Sequence, residues 1–198
     1  MKLQFVTLTS FLTVLLFCAM ASHCLADLRS ITVAAKDSPE ETRGSADFCC
    51  IGVDDQLTIR QAILALPSNG GTVQLSAGNF EIRKVPQTLG GIIIDRSFVT
   101  LAGQGAATRL RLAAGQNTNV IRIIGSDVGH VTIRDLAIDA NRTENDQGAG
   151  DPNLSHDRFE FCGIKAFRQA PAGPSADDDC HDITIRNCQV KEAHRLGI

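Results

Sequence analysis

The stretch His130–Asn141, with the sequence HVTIRDLAIDAN, determines how the rest of the chain is interpreted. Apolar and polar residues alternate in two short runs, Val131–Arg134 and Leu136–Asp139. Such alternation places successive side chains on opposite faces of an extended chain. The stretch therefore predicts two very short strands joined by a bend. His130 precedes the first strand, where we expect a turn role, and His181 is expected to serve a turn in a later copy.

The same unit occurs three times along the chain. It begins at Val99, Val131 and Ile183, which are 32 and then 52 residues apart. Repetition of a small β unit at variable spacing is typical of stacked strands whose connecting loops differ in length. The pattern favours an all-β solenoid, a parallel β-helix, over a propeller or a sandwich. Asp135 and Asn187 share one bend position in two copies, so we expect their side chains to form a ladder.

One amphipathic helix is predicted ahead of the strands. Its apolar face recurs at helical spacing and consists of Ile59, Ala62, Ile63 and Leu66. Asp54 or Asp55 is expected to cap its first turn. A single helix followed by short strands indicates an N-terminal lid on the β stack, which would otherwise expose its core and a strand edge.

The N-terminus has the pattern of a secretory signal peptide over residues 1–26. Lys2 precedes an apolar run that ends in small residues. We expect residues 27–47 to form a flexible lead-in and residues 48–198 to form the N-terminal part of a β-helix domain. The last repeat begins near the end of the sequence without a polar cap, so we expect truncation at Ile198. The predicted location is extracellular or in the cell wall, without membrane attachment after cleavage.

Cysteines and glycosylation motifs agree with a secretory route. Cys188 occupies the inward position that Leu136 has in the earlier repeat, so we expect a buried thiol there. Cys162 and Cys180 are then expected to form a disulfide. The sequence contains no Cys-x-x-Cys spacing, so no metal site is predicted. Candidate glycosylation sites of the Asn-x-Ser/Thr type occur at Asn141 and Asn153.

The composition disfavours two classes of function. The formal net charge is −3, whereas nucleic-acid binding usually requires a basic surface. The chain contains no Trp and no Tyr, which disfavours sugar-binding modules built on large aromatic platforms. With 43% hydrophobic and 21% charged residues, the chain has the composition of a folded domain.

Several phrases resemble known right-handed β-helix proteins. DDQLTIRQAIL at 54–64, followed by GGTVQLSAGNF at 70–80, resembles the entry segment of the pectate-lyase-like superfamily, whose members act mostly on polyuronates. Within that superfamily, three further phrases resemble the secreted mannuronan C-5-epimerases of brown algae. They are CCIGVDD at 49–55, GGIIID at 90–95 and LAIDANR at 136–142.

The resemblance implies an isomerase that converts mannuronate to guluronate residues within alginate, an acidic polysaccharide. No organic cofactor is then required, and calcium binding is left open for the acidic run Asp177–Asp179. The family's Asp-Pro-His-Asp signature is absent from the 198 residues. No catalytic residue is therefore transferred, and the catalytic residues are expected beyond Ile198. Within the span, His194 and Arg195 are the catalytic candidates, and a base role for His156 is left open.

Other functions are compatible with the same fold. A polyuronate lyase would begin with the same proton abstraction and then expel the 4-O substituent. A glycoside hydrolase would need two carboxylates at a defined separation. A non-catalytic β-helix that binds cell-wall polysaccharide is the third alternative, because fold alone does not determine function.

Two pairs of cationic residues occupy equivalent strand positions and are predicted to bind the substrate. Arg122 corresponds to Lys165, and Arg134 corresponds to Arg186. Stacked strands lie about 4.8 Å apart, so each pair would form a cationic ladder. A ladder of this kind suits a polyanionic sugar chain. The competing interpretation is ordinary charge on solvent-facing strands.

Overall fold

The computed structural model describes residues 29–88, 90–145, 161–167, 180–194 and 196–198. Its elements, in chain order, are β1 (Arg29–Ala34), α1 (Glu40–Ser45), β2 (Phe48–Cys49), α2 (Asp55–Ala65), β3 (Gly71–Leu75), β4 (Gly78–Ile82), β5 (Gly90–Ile94), β6 (Val99–Leu112), β7 (Asn119–Ile123), β8 (Gly129–Asp139), a 3-10 helix (Arg142–Glu144), β9 (Ile164–Ala166) and β10 (His181–Lys191). None of the described helices is long and apolar enough to cross a membrane. The predicted signal peptide and Asn153 lie outside the described residues.

All strand pairs within the described residues are parallel, as a solenoid requires. One sheet has the order β10-β8-β6-β3-β1-β2, with β4 paired to the second half of β6. The other sheet has the order β5-β7-β9. Strands that are distant in sequence are therefore neighbours in the stack, and the described chain is a parallel β-helix, as the repeats predict.

Each long strand bends at a residue in the left-handed conformation. Asp135 has a φ of 57° and Asn187 a φ of 52°, and these residue types tolerate this region better than most. The Asn187 side-chain amide donates a hydrogen bond of 3.0 Å to Asp135 Oδ1. The predicted ladder at this bend is thus confirmed, and it joins neighbouring rungs at the corner of the solenoid.

The apolar half of each repeat fills the core. Val131, Ile133, Leu136 and Ile138 are at most 1% exposed. Full burial of such a side chain contributes about 1.5–3 kcal/mol. Cys188 pairs with Leu136 in the register of β8 and β10, as predicted, but it is only partly buried. Cys188 is only partly buried because β10 is the strand at the edge of its sheet. Even partial burial raises the pKa of the Cys188 thiol.

The α2 helix covers the first rungs of the core, as predicted for a lid. It buries Ile59, Ala62 and Ile63. Arg60 fastens the helix to the end of β5, because its guanidinium donates to Ile93 O at 2.9 Å and pairs with Asp95 at 2.5 Å. The helix thereby protects one end of the solenoid from solvent.

The predicted cap of this helix is wrong. Asp54 is the N-cap residue, but it has a φ of 54° and makes no side-chain cap hydrogen bond. Asp55 is fully buried, and its carboxylate accepts hydrogen bonds from the backbone N–H groups of Gly52 at 2.8 Å and Glu81 at 2.9 Å. The carboxylate therefore links the helix to β4 instead of capping it.

The expectation of a flexible lead-in over residues 27–47 is also wrong for residues 29–47. Here β1 pairs with both β2 and β3, and its Ile31 and Val33 are only 1% exposed. Asp47 accepts hydrogen bonds from the Thr32 N–H at 2.7 Å and the Thr32 hydroxyl at 2.8 Å. These bonds lower the pKa of Asp47. The segment is part of the stack because the edge of β3 supplies its partner.

The predicted disulfide between Cys162 and Cys180 is not formed in the described part of the chain. The backbone N–H of Cys162 donates to Asn119 Oδ1 at the start of β7, at 2.9 Å. Cys180 Sγ lies 3.8 Å from the Ile123 carbonyl oxygen at the end of that strand. The Cys162 carbonyl also accepts from the Val120 N–H at 3.1 Å, so the two cysteines contact points three to four residues apart on β7. At about 3.3 Å per residue, these points are about 10–13 Å apart. A disulfide requires Cα atoms within about 7 Å.

Candidate functional site

The first predicted cationic pair lies in the sheet β5-β7-β9. Arg122 and Lys165 are direct neighbours in the register of β7 and β9, as predicted. Arg122 is only 4% exposed, however, so its expected solvent-facing position is wrong. The aliphatic part of the Arg122 side chain packs on Gly90. A Cβ atom added at position 90 would lie 2.8 Å from Arg122 Cβ. Lys165 is partly exposed, with its ammonium 5.3 Å from the ring centroid of Phe167.

The second predicted pair lies in the other sheet. Arg134 and Arg186 are neighbours in the register of β8 and β10, again as predicted. Arg134 pairs with Asp135 at 2.5 Å, whereas Arg186 is exposed. The hydrogen bond from Asn187, followed by the one from Arg134, lowers the pKa of Asp135. The charge of Arg134 is thus matched locally by a carboxylate that remains ionised.

The four predicted residues do not form one surface. The pair on β7 and β9 and the pair on β8 and β10 belong to different sheets of the solenoid. A single extended ligand that follows one strand column would contact one pair and miss the other. Their binding role stays a prediction, and the structure restricts it to one pair for each face.

A groove that the sequence did not indicate lies across the second halves of the long strands. It has a volume of about 480 Å³ and is lined by β4, β6 and β8, together with the segment that follows β8. We call it the arginine groove because Arg109 and Arg111 project into it from β6. Both side chains belong to exposed residues. The alternation in Thr108–Leu112 is the available sequence signal, and by itself it indicates only a strand.

Neighbouring rungs place further polar groups beside the two arginines. In the strand register, Asn79 and Ala137 flank Arg109, and Glu81 and Asp139 flank Arg111. The small Ala137 side chain leaves room beside Arg109 on the β8 side. The groove therefore presents side chains in columns that cross the rungs, which is the arrangement needed to contact successive units of a linear polymer.

Two carboxylates of the arginine groove are paired with cations that lie outside its lining. Glu81 accepts from Arg83 at 2.8 Å, and Asp139 pairs with Lys191 at 3.3 Å. Arg111 donates to Asn141 Oδ1 at 3.4 Å. Arg109 makes no ion pair with the described part of the chain. Arg109 and Arg111 are therefore the two exposed cations of the groove with which an incoming carboxylate could pair.

Asn141 is a structural residue of this groove. It is 7% exposed, and its side-chain amide donates to the Leu112 carbonyl at 3.0 Å. A glycan on that nitrogen would leave one N–H and would have to extend into the groove. Glycosylation at Asn141 stays a prediction.

The remaining candidates are placed only in part. His194 lies beside Phe161, with ring centroids 6.4 Å apart, and its catalytic role stays a prediction. Arg195 and the acidic run Asp177–Asp179 lie outside the described residues, so the structure places neither the second catalytic candidate nor the proposed calcium ligands.

A second polar cluster contains the two histidines for which the sequence predicts turn roles. His130, at the start of β8, contacts Asp182 through Nδ1 at 3.4 Å. His181 contacts Asp182 at 3.1 Å and Asp127 at 3.1 Å. The carboxylates of Asp182 and Asp127 accept hydrogen bonds from the His181 ring and thereby raise the pKa of His181. We call these four residues the histidine cluster. The pairing of β8 with β10 brings it together, which a single sequence does not reveal.

Fold and comparisons together define the class of protein. The described chain is a right-handed parallel β-helix, like the solved A-modules of two mannuronan C-5 epimerases from Azotobacter vinelandii. For the AlgE6 A-module the TM-score is 0.55 at 28% identity, covering 69% of this chain and 34% of that one. For the AlgE4 A-module the TM-score is 0.56 at 27% identity, covering 72% of this chain and 36% of that one.

A similar curated sequence agrees with this result. Mannuronan C5-epimerase AlgE4 of Azotobacter vinelandii is 31% identical over 160 residues, which cover 76% of this chain and 26% of the relative. No protein-family profile matches the chain. The chain is thus mannuronan C-5-epimerase-like and spans about a quarter of the length of that relative. These relatives are bacterial, so the resemblance to the brown-algal type stays a prediction.

Proposed function

We propose that the chain is part of a mannuronan C-5 epimerase, which converts mannuronate to guluronate residues within the polymer. The observation that carries the proposal is the match in sequence over 160 residues to an enzyme of that name. The match in fold to two epimerase A-modules supports it independently. Nothing in the proposal requires an organic cofactor.

The reaction removes a proton from C5, beside the uronate carboxylate, and returns a proton to the opposite face of the ring. It requires a base, an acid on the other side, and cations or hydrogen-bond donors that stabilise the enediolate-like charge. The described residues do not establish which groups act as the acid and the base. His194 and Arg195 stay candidates, and the family's signature residues are absent from the sequence.

We assign the described solenoid the task of holding the acidic polysaccharide. The arginine groove supports this role, because it crosses three strands and presents exposed Arg109 and Arg111. A guanidinium binds a carboxylate with two parallel hydrogen bonds, which fixes both position and orientation. The polymer would then be held across the rungs through its uronate carboxylates.

We also propose that the protein is secreted and acts outside the cell or in the cell wall. The support is the sequence pattern of residues 1–26, a basic start followed by an apolar run and small residues. N-terminal sequencing of the secreted protein tests this proposal, and an N-terminus that retains the apolar run would contradict it.

Proton NMR of polymannuronate tests the activity. The 198-residue chain is incubated with the polymer in parallel with any longer natural form that continues past Ile198. Growth of guluronate signals is expected with the active form. Unsaturated chain ends would instead identify a lyase, and unchanged polymer with retained binding in both forms would identify a binding module.

A further inference from the structure

The histidine cluster brings three metal-ligating groups together on the surface. One side-chain donor atom from each of His130, His181 and Asp182 can be chosen so that all three lie within 4.8 Å of one another. His130 belongs to β8, whereas His181 and Asp182 belong to β10. The groups thus come from two neighbouring rungs, and any ion that they share would connect those rungs directly.

The two spacings that the Asp182 carboxylate makes with the histidines fit a tetrahedral metal ion. Zinc bonds of about 2.0–2.1 Å in tetrahedral geometry place neighbouring ligand atoms about 3.3 Å apart. Asp182 Oδ2 lies 3.4 Å from His130 Nδ1 and 3.1 Å from His181 Nδ1. Two imidazoles and one carboxylate form a donor set that suits zinc, copper or nickel better than calcium or magnesium.

A second, independent observation is that both rings are held in place by neighbours. The Asp127 carboxylate lies 3.1 Å from His181 Nε2, on the far side of the ring from Asp182. Such a carboxylate is the usual outer partner of a metal-bound histidine, because it leaves the other nitrogen with its lone pair directed at the ion. His130 stacks on Phe98 with centroids 4.8 Å apart and planes 14° apart.

A glycine creates the space for the His181 ring. A Cβ added at Gly129 would lie 2.2 Å from His181 Cε1. Gly129 pairs with His181 in the register of β8 and β10. The ring therefore lies over the backbone of the neighbouring rung, where any side chain at Gly129 would displace it.

We propose that His130, His181 and Asp182 form a surface binding site for one divalent transition metal of the zinc class. The fourth coordination position faces solvent and is filled by water or by an exogenous ligand. The bound ion joins β10 to β8 and stabilises β10 against separation from the stack. The site lies at the start of β8, whereas the arginine groove uses its end, so the proposal stands apart from the proposed enzymatic function.

The test uses the untagged 198-residue chain after treatment with a chelator. Titration calorimetry with zinc chloride is expected to show one site per chain, and calcium chloride is expected to give no heat at that site. Saturating zinc is expected to raise Tm, because the ion binds the folded chain preferentially. Removal of the outer carboxylate by Asp127→Asn is expected to weaken binding about tenfold to a hundredfold.

The ligand variants are His130→Asn, His181→Gln and Asp182→Asn. Asparagine is chosen at positions 130 and 182 because both residues have positive φ, at 55° and 50°, which asparagine tolerates. Each variant is expected to abolish both the zinc heat and the rise in Tm, while His194→Gln retains them. Undiminished zinc binding in the correctly folded ligand variants, or no binding by the parent chain, would overturn the proposal.

Discussion

At the scale of single residues, Asp55 shows how a buried charge can organise an element. Its carboxylate is fully buried and accepts two backbone N–H groups, those of Gly52 and Glu81. Asp55→Asn keeps the shape but replaces one acceptor oxygen with an NH2 donor. One buried N–H group then loses its partner, so we expect the free energy of unfolding to fall by about 1–3 kcal/mol. Urea unfolding followed by circular dichroism measures the change.

Asp54→Asn is the matched control for that measurement. Asp54 accepts a hydrogen bond from the Gln56 side chain at 3.1 Å, and the amide oxygen of asparagine can replace that acceptor. Asparagine also tolerates the φ of 54° at this position. The control is expected to change stability by less than about 0.5 kcal/mol, as for most surface substitutions. Equal loss in both variants would show that charge near the helix matters, rather than the buried hydrogen bonds.

At the scale of an element, the bend between the halves of β8 and β10 depends on one side-chain ladder. Asn187 lowers the pKa of Asp135 through its hydrogen bond, and Arg134 acts in the same direction. A carboxyl group whose pKa is lower in the folded chain than in the unfolded chain stabilises the fold at pH values above the unfolded pKa of about 3.9. This contribution is lost as the pH falls through the folded pKa. Acid should therefore weaken this corner of the solenoid.

Asn187→Gly tests this dependence, because glycine removes the amide while accepting the positive φ. Any loss of backbone entropy is independent of pH and cancels when slopes are compared. We expect the free energy of unfolding of the parent chain to fall more steeply than that of the variant below about pH 4. Superimposable pH profiles, measured by urea unfolding at each pH, would refute the role of the ladder.

Elements that repeat could be predicted from sequence, and elements that depend on a single partner could not. Asp135 and Asn187 occupy equivalent places in two copies, and their residue types suit a left-handed bend, so the ladder was foreseeable. β1 was missed because Ile31 and Val33 form too short an alternation to indicate a strand without knowledge of β3. The position of Asp54 and Asp55 just before the helix predicts a cap. The Asp55 carboxylate instead accepts a hydrogen bond from the backbone N–H of Glu81, which lies 26 residues further along the chain.

At the scale of the whole molecule, outward positions on a β-helix are not equally exposed. Strand alternation correctly placed Arg122 beside Lys165, yet the guanidinium is buried, whereas Arg186 in the other sheet is exposed. Exposure depends on which segments fold over each face, and that information is absent from the strand itself. Arg109 and Arg111 were missed for the same reason, because their groove is formed by three strands and the segment that follows β8.

The arginine groove and the predicted ladders are different candidate surfaces for the polyanion. Variants that neutralise the arginines of one surface can show which surface binds it. The double variant Arg109→Gln and Arg111→Gln removes two exposed charges with little change in size. Exposed ion pairs contribute about 0.2–1 kcal/mol each, so we expect polymannuronate binding to weaken about two- to thirtyfold, with a smaller dependence on salt. Titration calorimetry at two salt concentrations measures both effects.

Arg186→Gln supplies the matched control, because it removes an exposed charge from a different part of the solenoid surface. If the polymer occupies the groove, this variant binds as the parent chain does. If the Arg134 and Arg186 ladder is the binding surface instead, Arg186→Gln weakens binding and the double variant does not. Arg122 is unsuitable for the comparison, because replacing a buried arginine alters packing as well as charge. Equal weakening in both variants would mean that the polymer responds to the overall charge of the solenoid, and neither surface would then be its site.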